Sequence, residues 1–304
     1  MEPIKLDGKA VADEICRNLK YRVDMLNARG FNPKLTIVTS GEDGASQLYV
    51  KNKVRRAEEI GIGVNVWHFD NFNSKELAEV CFRTHNPMII QEPITGSVKH
   101  EDVSHCIEPQ YDADCFSYEN VGRLVTGVKP YFYPCTPRGI IHLLDCYDIP
   151  LEGKNVCIIG RSNIVGRPLS WMMEQRGATV TLCHSKTDEK AIYNGIRDSD
   201  IVVSAVGKPE FIRRLRGDIV TGHSIKWNEK VFVDVGINRD KEGHLCGDFH
   251  PNVYEESYAY TPVPGGVGPM TVAMLMLNVV EHYERMARDA KVECKGQSFS
   301  RREA

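Results

Sequence analysis

Tyr49 and Lys53 stand four residues apart in Tyr49-Val50-Lys51-Asn52-Lys53, within a stretch whose pattern predicts a helix from about Ser46 to Gly61. Both side chains then leave the same helix face. A buried lysine there could handle a proton, whereas an exposed one would be one more surface cation beside Lys51, Arg55 and Arg56. Gln91 closes the apolar run Pro87-Met88-Ile89-Ile90, the end of a short buried strand and so a ligand-facing position in an α/β sheet. Asp112-Ala113-Asp114-Cys115-Phe116 follows in a polar loop. Its two carboxylates, without an adjacent base, could be solvated turn residues.

A second group of residues suits a phosphate. Gly160-Arg161-Ser162-Asn163-Ile164-Val165-Gly166-Arg167-Pro168 lies between an apolar strand and a helix. Gly160 and Gly166 let the backbone approach a ligand, and the helix start supplies donors and partial positive charge. Ser162 occupies the usual middle glycine, so a plain strand-to-helix turn with Pro168 in the first helical turn is the competing reading. The next strand ends in Cys183-His184-Ser185-Lys186-Thr187, without the carboxylate that NAD folds place on the ribose. Arg161 and Ser185 offer a cation and a hydroxyl, which suits a 2′-phosphate and favours NADP. Ala205-Val206-Gly207 and Asp234-Val235-Gly236-Ile237-Asn238 close two further strands, making Ile237 a nicotinamide-side candidate.

The elements that must hold these residues alternate. An amphipathic helix through Val11, Ile15, Leu19 and Val23 precedes a strand at Lys34–Val38, a loop at Gly41-Glu42-Asp43-Gly44 and the helix of Lys53. A strand at Val64–His68, a helix at Ser74–Thr84 and the strand before Gln91 complete a first α/β unit. After a helix at Pro137–Tyr147, strands at Lys154–Ile159, Ala178–Cys183, Ile201–Val206 and Val231–Val235 form a second, Rossmann-like dinucleotide-binding unit. A long helix, about Met270–Ala290, returns to the first. The expected domains are therefore 1–137 plus 270–290, and 138–269, with a loose tail at 291–304.

In 304 residues with a formal charge of −3 nothing marks a nucleic-acid binder, and no apolar run approaches the ~20 residues of a membrane helix. The ten cysteines form no C-x-x-C pair or zinc-finger spacing, so no metal is expected. Scattered thiols without a secretory pattern predict a cytoplasmic protein.

The order of these motifs, together with Asn120-Val121-Gly122-Arg123-Leu124, Cys135-Thr136-Pro137-Arg138-Gly139 and Thr261-Pro262-Val263-Pro264-Gly265-Gly266-Val267-Gly268-Pro269-Met270-Thr271, resembles the bifunctional methylenetetrahydrofolate dehydrogenase/cyclohydrolase family from about Gly8 to His282. The resemblance implies two α/β domains joined by long helices around an active-site cleft. The first domain and the returning helix would bind a tetrahydrofolate derivative, and the middle segment NADP. Position by position it makes Lys53 the catalytic lysine, supported by Tyr49 and Gln91, and gives Asp114 the pterin ring. Arg161 and Ser185 would contact the 2′-phosphate beside Gly160, Ser162 and Gly166. The loop of Gly265, Gly266 and Pro269 would close over the ligands. A homodimer is expected.

Three segments depart from the family. Glu92-Pro93-Ile94-Thr95 replaces Leu-Pro-Leu-Pro, Cys115 stands where a glycine is usual, and Arg213-Arg214-Leu215-Arg216-Gly217-Asp218 differs from the common pattern. A glycine with positive φ at 115 would leave Cys115 strained. A dehydrogenase of the same fold acting on a small polar acid, a monofunctional folate dehydrogenase, and a nucleotide-binding regulatory protein remain the alternatives.

Overall fold

The structure, a computed structural model, describes residues 2–41, 44–214, 219–220 and 223–300. Glu42 and Asp43 of the expected loop, and Leu215 to Asp218 of the variant segment, lie outside them.

The chain opens with a two-residue strand, β1 (Ile4–Lys5), and a long helix, α1 (Gly8–Asn27). There follow β2 (Lys34–Ser40), α2 (Gly44–Glu59), β3 (Gly63–Phe69), α3 (Ser74–Arg83), β4 (Met88–Ile90), α4 (His100–Cys106), α5 (Tyr118–Val125) and α6 (Cys135–Cys146). The second series is β5 (Asn155–Ile159), α7 (Gly166–Glu174), β6 (Thr179–Cys183), α8 (Glu189–Asp198) and β7 (Ile201–Ser204). Short strands β8 (Ile219–Val220) and β9 (His223–Ser224) pair antiparallel, β10 (Val231–Asp234) returns to the main sheet, and β11 (Asn238–Arg239) pairs with β12 (Leu245–Cys246). The chain ends with α9 (Pro251–Tyr254), β13 (Ala259–Tyr260) and α10 (Val267–Ser300). The alternation predicted from sequence thus forms, and α10 continues to Ser300 where a loose tail was expected from residue 291.

Two compact units result. One comprises Glu14–Gly122, Pro130–Tyr133 and Val272–Ala304. Its sheet is parallel in the order β3-β2-β4, with Leu35, Ile37 and Val38 of the central strand fully buried. Every residue of β2 from Leu35 to Ser40 is buried, as in a parallel sheet covered on both faces. Arg22 of α1 grips Glu284 of α10 through two hydrogen bonds of 2.8 and 2.7 Å. Asn73 caps α3 by accepting from the N–H groups of Lys75 and Glu76, and the Glu76 carboxylate accepts from the Asn73 N–H.

The other unit comprises Met1–Asp13, Arg123–Lys129 and Pro134–Thr271. It holds a six-stranded parallel sheet in the order β1-β13-β10-β7-β5-β6. The strand order reverses at β5, so the topological switch point falls between β5 and β7, where doubly wound sheets open a crevice at the strand C-termini. The first thirteen residues therefore differ from the sequence expectation. β1 pairs with β13, and Leu6 is fully buried, so this segment completes the second sheet rather than the first. Among the described residues no helix is long and apolar enough to cross a membrane.

Candidate active site

In the first unit, α2 carries Tyr49 and Lys53, both half-buried. The Lys53 Nζ donates to the Gln91 Oε1 at 2.8 Å, so the helix and the end of β4 meet at this pair. The Gln91 N–H is fixed to the Val38 carbonyl of the neighbouring strand at 2.8 Å, and its Nε2 donates to the Glu92 carbonyl at 2.6 Å. The glutamine is therefore held in one orientation, with its amide oxygen toward the lysine. Glu92 does not project alone, since its Oε1 lies 3.0 Å from the His100 Nδ1 on α4.

Asp114 is half-buried in a loop built around its neighbour. Asp112 is fully buried, which excludes its reading as a solvated turn residue. Its carboxylate accepts from the N–H groups of Phe116 and Ser117, both at 2.8 Å, and from the Asn120 Nδ2 at 2.9 Å. Asn278 of α10 donates to the Ala113 and Tyr133 carbonyls at 2.9 and 2.8 Å. Cys115 is buried with φ at +62°, the left-handed conformation expected if it replaces a glycine, and it therefore carries backbone strain. Burial and the two flanking carboxylates push its thiol well above the ordinary cysteine range. That disfavours the thiolate and any nucleophilic role.

In the second unit, Gly160 leaves β5 with φ at +119°, and a Cβ there would strike the Ala205 carbonyl at the end of β7. A Cβ on Gly166 would likewise strike the Gly160 carbonyl. Only glycine permits this close backbone approach, which brings the turn and the start of α7 to the switch point. Ser162 braces the turn by accepting from the N–H groups of Val165 and Gly166 at 3.1 and 3.4 Å. The Gly160 N–H donates to the Cys183 carbonyl at 3.0 Å, tying the segment of exposed Arg161 beside that of exposed Ser185. Asp188, the nearest following carboxylate, caps α8 through the Ala191 N–H at 2.8 Å. The donor set fits a dinucleotide with a phosphate on its ribose.

Asp248 organises the loops that follow β7 and β10. Fully buried, it accepts from the Ser204 hydroxyl, from the N–H groups of Val206, Gly207 and Lys208, and from the Asn238 Nδ2. Ile237 is exposed, and a Cβ on Gly268 would lie 3.3 Å from its Cδ1. The glycine loop of Gly265 and Gly266 packs on the start of α1, where the Lys9 N–H donates to the Gly265 carbonyl at 2.8 Å. Pro269 lies in the first turn of α10, half-buried.

The family models for the catalytic domain and the NAD(P)-binding domain of tetrahydrofolate dehydrogenase/cyclohydrolase match residues 6–114 and 134–287. The chain belongs to this family. It is 43% identical to the bifunctional protein FolD of Moorella thermoacetica over 287 residues, 92% of this chain and 98% of that protein. The crystal structure of the bifunctional FolD enzyme from Campylobacter jejuni matches with a TM-score of 0.84 and 36% identity, over 92% of this chain and 98% of that one. That of Trypanosoma brucei FolD, complexed with NADP cofactor and inhibitor, matches with a TM-score of 0.85 and 30% identity, over 95% of this chain and 99% of that one.

Within the family frame, the residues read from sequence fall into two groups. Lys53 and Gln91 are in direct contact, and Tyr49 shares the helix of Lys53 one turn earlier. Gly160, Arg161, Ser162, Gly166 and Ser185 gather at the C-terminal ends of β5 and β6. What sequence reasoning passed over is the bracing: Asp112 and Asn278 under Asp114, and Asp234 with Asp248 under the cofactor-side loops. A carboxylate that binds backbone N–H groups many residues away leaves no local spacing signal. Asp234, which accepts from the Gly236 N–H two residues on, was the one within reach of an Asx-turn argument, whereas the donors to Asp112 lie four and five residues on at Phe116 and Ser117.

Proposed function

We propose that this chain oxidises 5,10-methylenetetrahydrofolate to the methenyl form with NADP and hydrolyses that product to 10-formyltetrahydrofolate, as an enzyme of one-carbon metabolism. The observation that carries the reading is the 2.8 Å Lys53–Gln91 hydrogen bond inside the family's catalytic domain. Asp114, on its braced loop, accepts from the amine donors of the pterin ring. NADP, when bound, supplies a nicotinamide ring that takes up a hydride. Arg161 and Ser185 hold its 2′-phosphate, while Gly160, Ser162 and Gly166 admit the pyrophosphate, and Ile237 and the Gly265-Gly266 loop border the reactive end.

The oxidation needs chiefly alignment, because nitrogen lone pairs stabilise the cation left on the one-carbon unit. The hydrolysis needs a proton managed at the attacking water and at the departing ring nitrogen. Lys53 holds that proton at its Nζ. Gln91 orients the ammonium through one of its three donors, and Tyr49 offers a hydroxyl from the same helix face. The chain is further read as a cytoplasmic homodimer.

A coupled assay with methylenetetrahydrofolate and NADP should show the methenyl product form and then decay to the formyl product. Lys53→Met should abolish hydrolysis. Cyclohydrolase activity retained in that variant would overturn the assignment of the lysine.

A further inference from the structure

Glu92 stands where the family usually has leucine, beside the glutamine that touches Lys53, and the structure gives it a partner. Its Oε1 lies 3.0 Å from the Nδ1 of His100, with both side chains partly buried. The Glu92 main-chain carbonyl accepts from the Gln91 Nε2. Residue 92 therefore holds the glutamine with its backbone and His100 with its side chain. The His100 ring in turn lies 5.0 Å from the ring of Phe116, inclined at 58°. The Phe116 N–H is one of the donors that fix Asp112 beneath the Asp114 loop.

The surrounding backbone leaves this bridge little slack. The Thr95 N–H donates to the Ser40 hydroxyl at the end of β2 at 2.9 Å. The Ser97 N–H donates to the Phe72 carbonyl at 3.0 Å. The His100 carbonyl accepts from the Ser104 hydroxyl at 2.9 Å, and the Lys99 N–H at the helix start donates to the Asp102 carboxylate at 2.8 Å. A carboxylate–imidazole pair thus stands where the family usually has leucine and joins the segment of Gln91 to the segment of Asp114.

We infer that Glu92 and His100 act as one positioning clamp that sets Gln91 against Lys53 for the hydrolytic step. This rests on the reading of Lys53 and Gln91 proposed above. Neither clamp residue touches the reacting atoms. Their effect passes through the glutamine, whose orientation hydrolysis needs more than oxidation does.

The test measures kcat and KM for both activities in wild type, Glu92→Leu, His100→Leu, the double variant and Glu92→Gln. The expected result is a cyclohydrolase-to-dehydrogenase kcat ratio lowered at least fivefold in each leucine variant. The double variant should be no lower than the worse single one. Glu92→Gln, which keeps an acceptor for the imidazole N–H, should recover most of the ratio. Equal loss of both activities, additive losses in the double variant, or an unchanged ratio in all variants would overturn the clamp. Wild-type protein that fails to oxidise methylenetetrahydrofolate would instead overturn the functional reading, and the clamp with it.

Discussion

Asp234 accepts from the Tyr254 hydroxyl at 2.5 Å and from the N–H groups of Gly236, Asp248 and Phe249 at 2.9, 3.0 and 2.9 Å. These bonds favour its charged form, yet burial outweighs them and pushes its carboxyl up to about 6. Burial and the Asp234 charge push the Tyr254 phenol up as well, so it stays a donor. Because the folded value lies above the ordinary 3.8, the native state binds this proton more tightly than the unfolded chain. The contribution is present in acid and is lost as pH rises through about 6, at most about 3 kcal/mol across the window. Stability curves measured at several pH values should show wild type losing more than Asp234→Asn between pH 4 and 7. At the cofactor end, Arg161→Ala should raise KM for NADP roughly 10- to 100-fold. That is about the worth of a charge-assisted hydrogen bond. KM for NAD should hardly move, as steady-state assays with both cofactors would show.

At the scale of elements, the strand–turn–helix from β5 to α7 was legible because its signals are local. The apolar run of Val156 to Ile159 is buried, and the two glycines sit where a Cβ has no room. The Lys53–Gln91 meeting was legible only in part. Helix spacing put Lys53 on a face and strand position aimed Gln91 outward, but which side chains face across α2 and β4 depends on the packing of both. The brace of Asp248 was not legible at all, since its Ser204 partner is 44 residues away. Asp248→Ala leaves the N–H groups of Val206, Gly207 and Lys208 without that acceptor. The expected cost is about 3 kcal/mol or more in stability, from chemical denaturation. Titration of the folded variant should show NADP affinity lowered more than tenfold, because the loops at the ends of β7 and β10 lose their common anchor.

Across the whole molecule, periodicity found the alternation of both α/β units but gave no sign that the first strand joins the second sheet. A strand of two residues shows no alternation, and Ile4 and Lys5 are both exposed, so only pairing with β13 reveals that they extend the six-stranded sheet. The assignment has an energetic consequence through Leu6, whose side chain is fully buried and whose N–H donates to the Tyr260 carbonyl at 2.8 Å. Leu6→Ala should cost about 2–5 kcal/mol, the usual range for emptying a leucine site in a core. Because the segment belongs to the unit that holds the cofactor turn, that loss should be largely offset by ligand. NADP at a hundred times its Kd adds about 2.7 kcal/mol to the state that binds it. Thermal unfolding of Leu6→Ala, with and without saturating NADP, would measure this. A melting temperature restored toward that of unliganded wild type is the expected outcome. If β1 were energetically independent of the cofactor unit, the cofactor would leave the variant's early transition where it was.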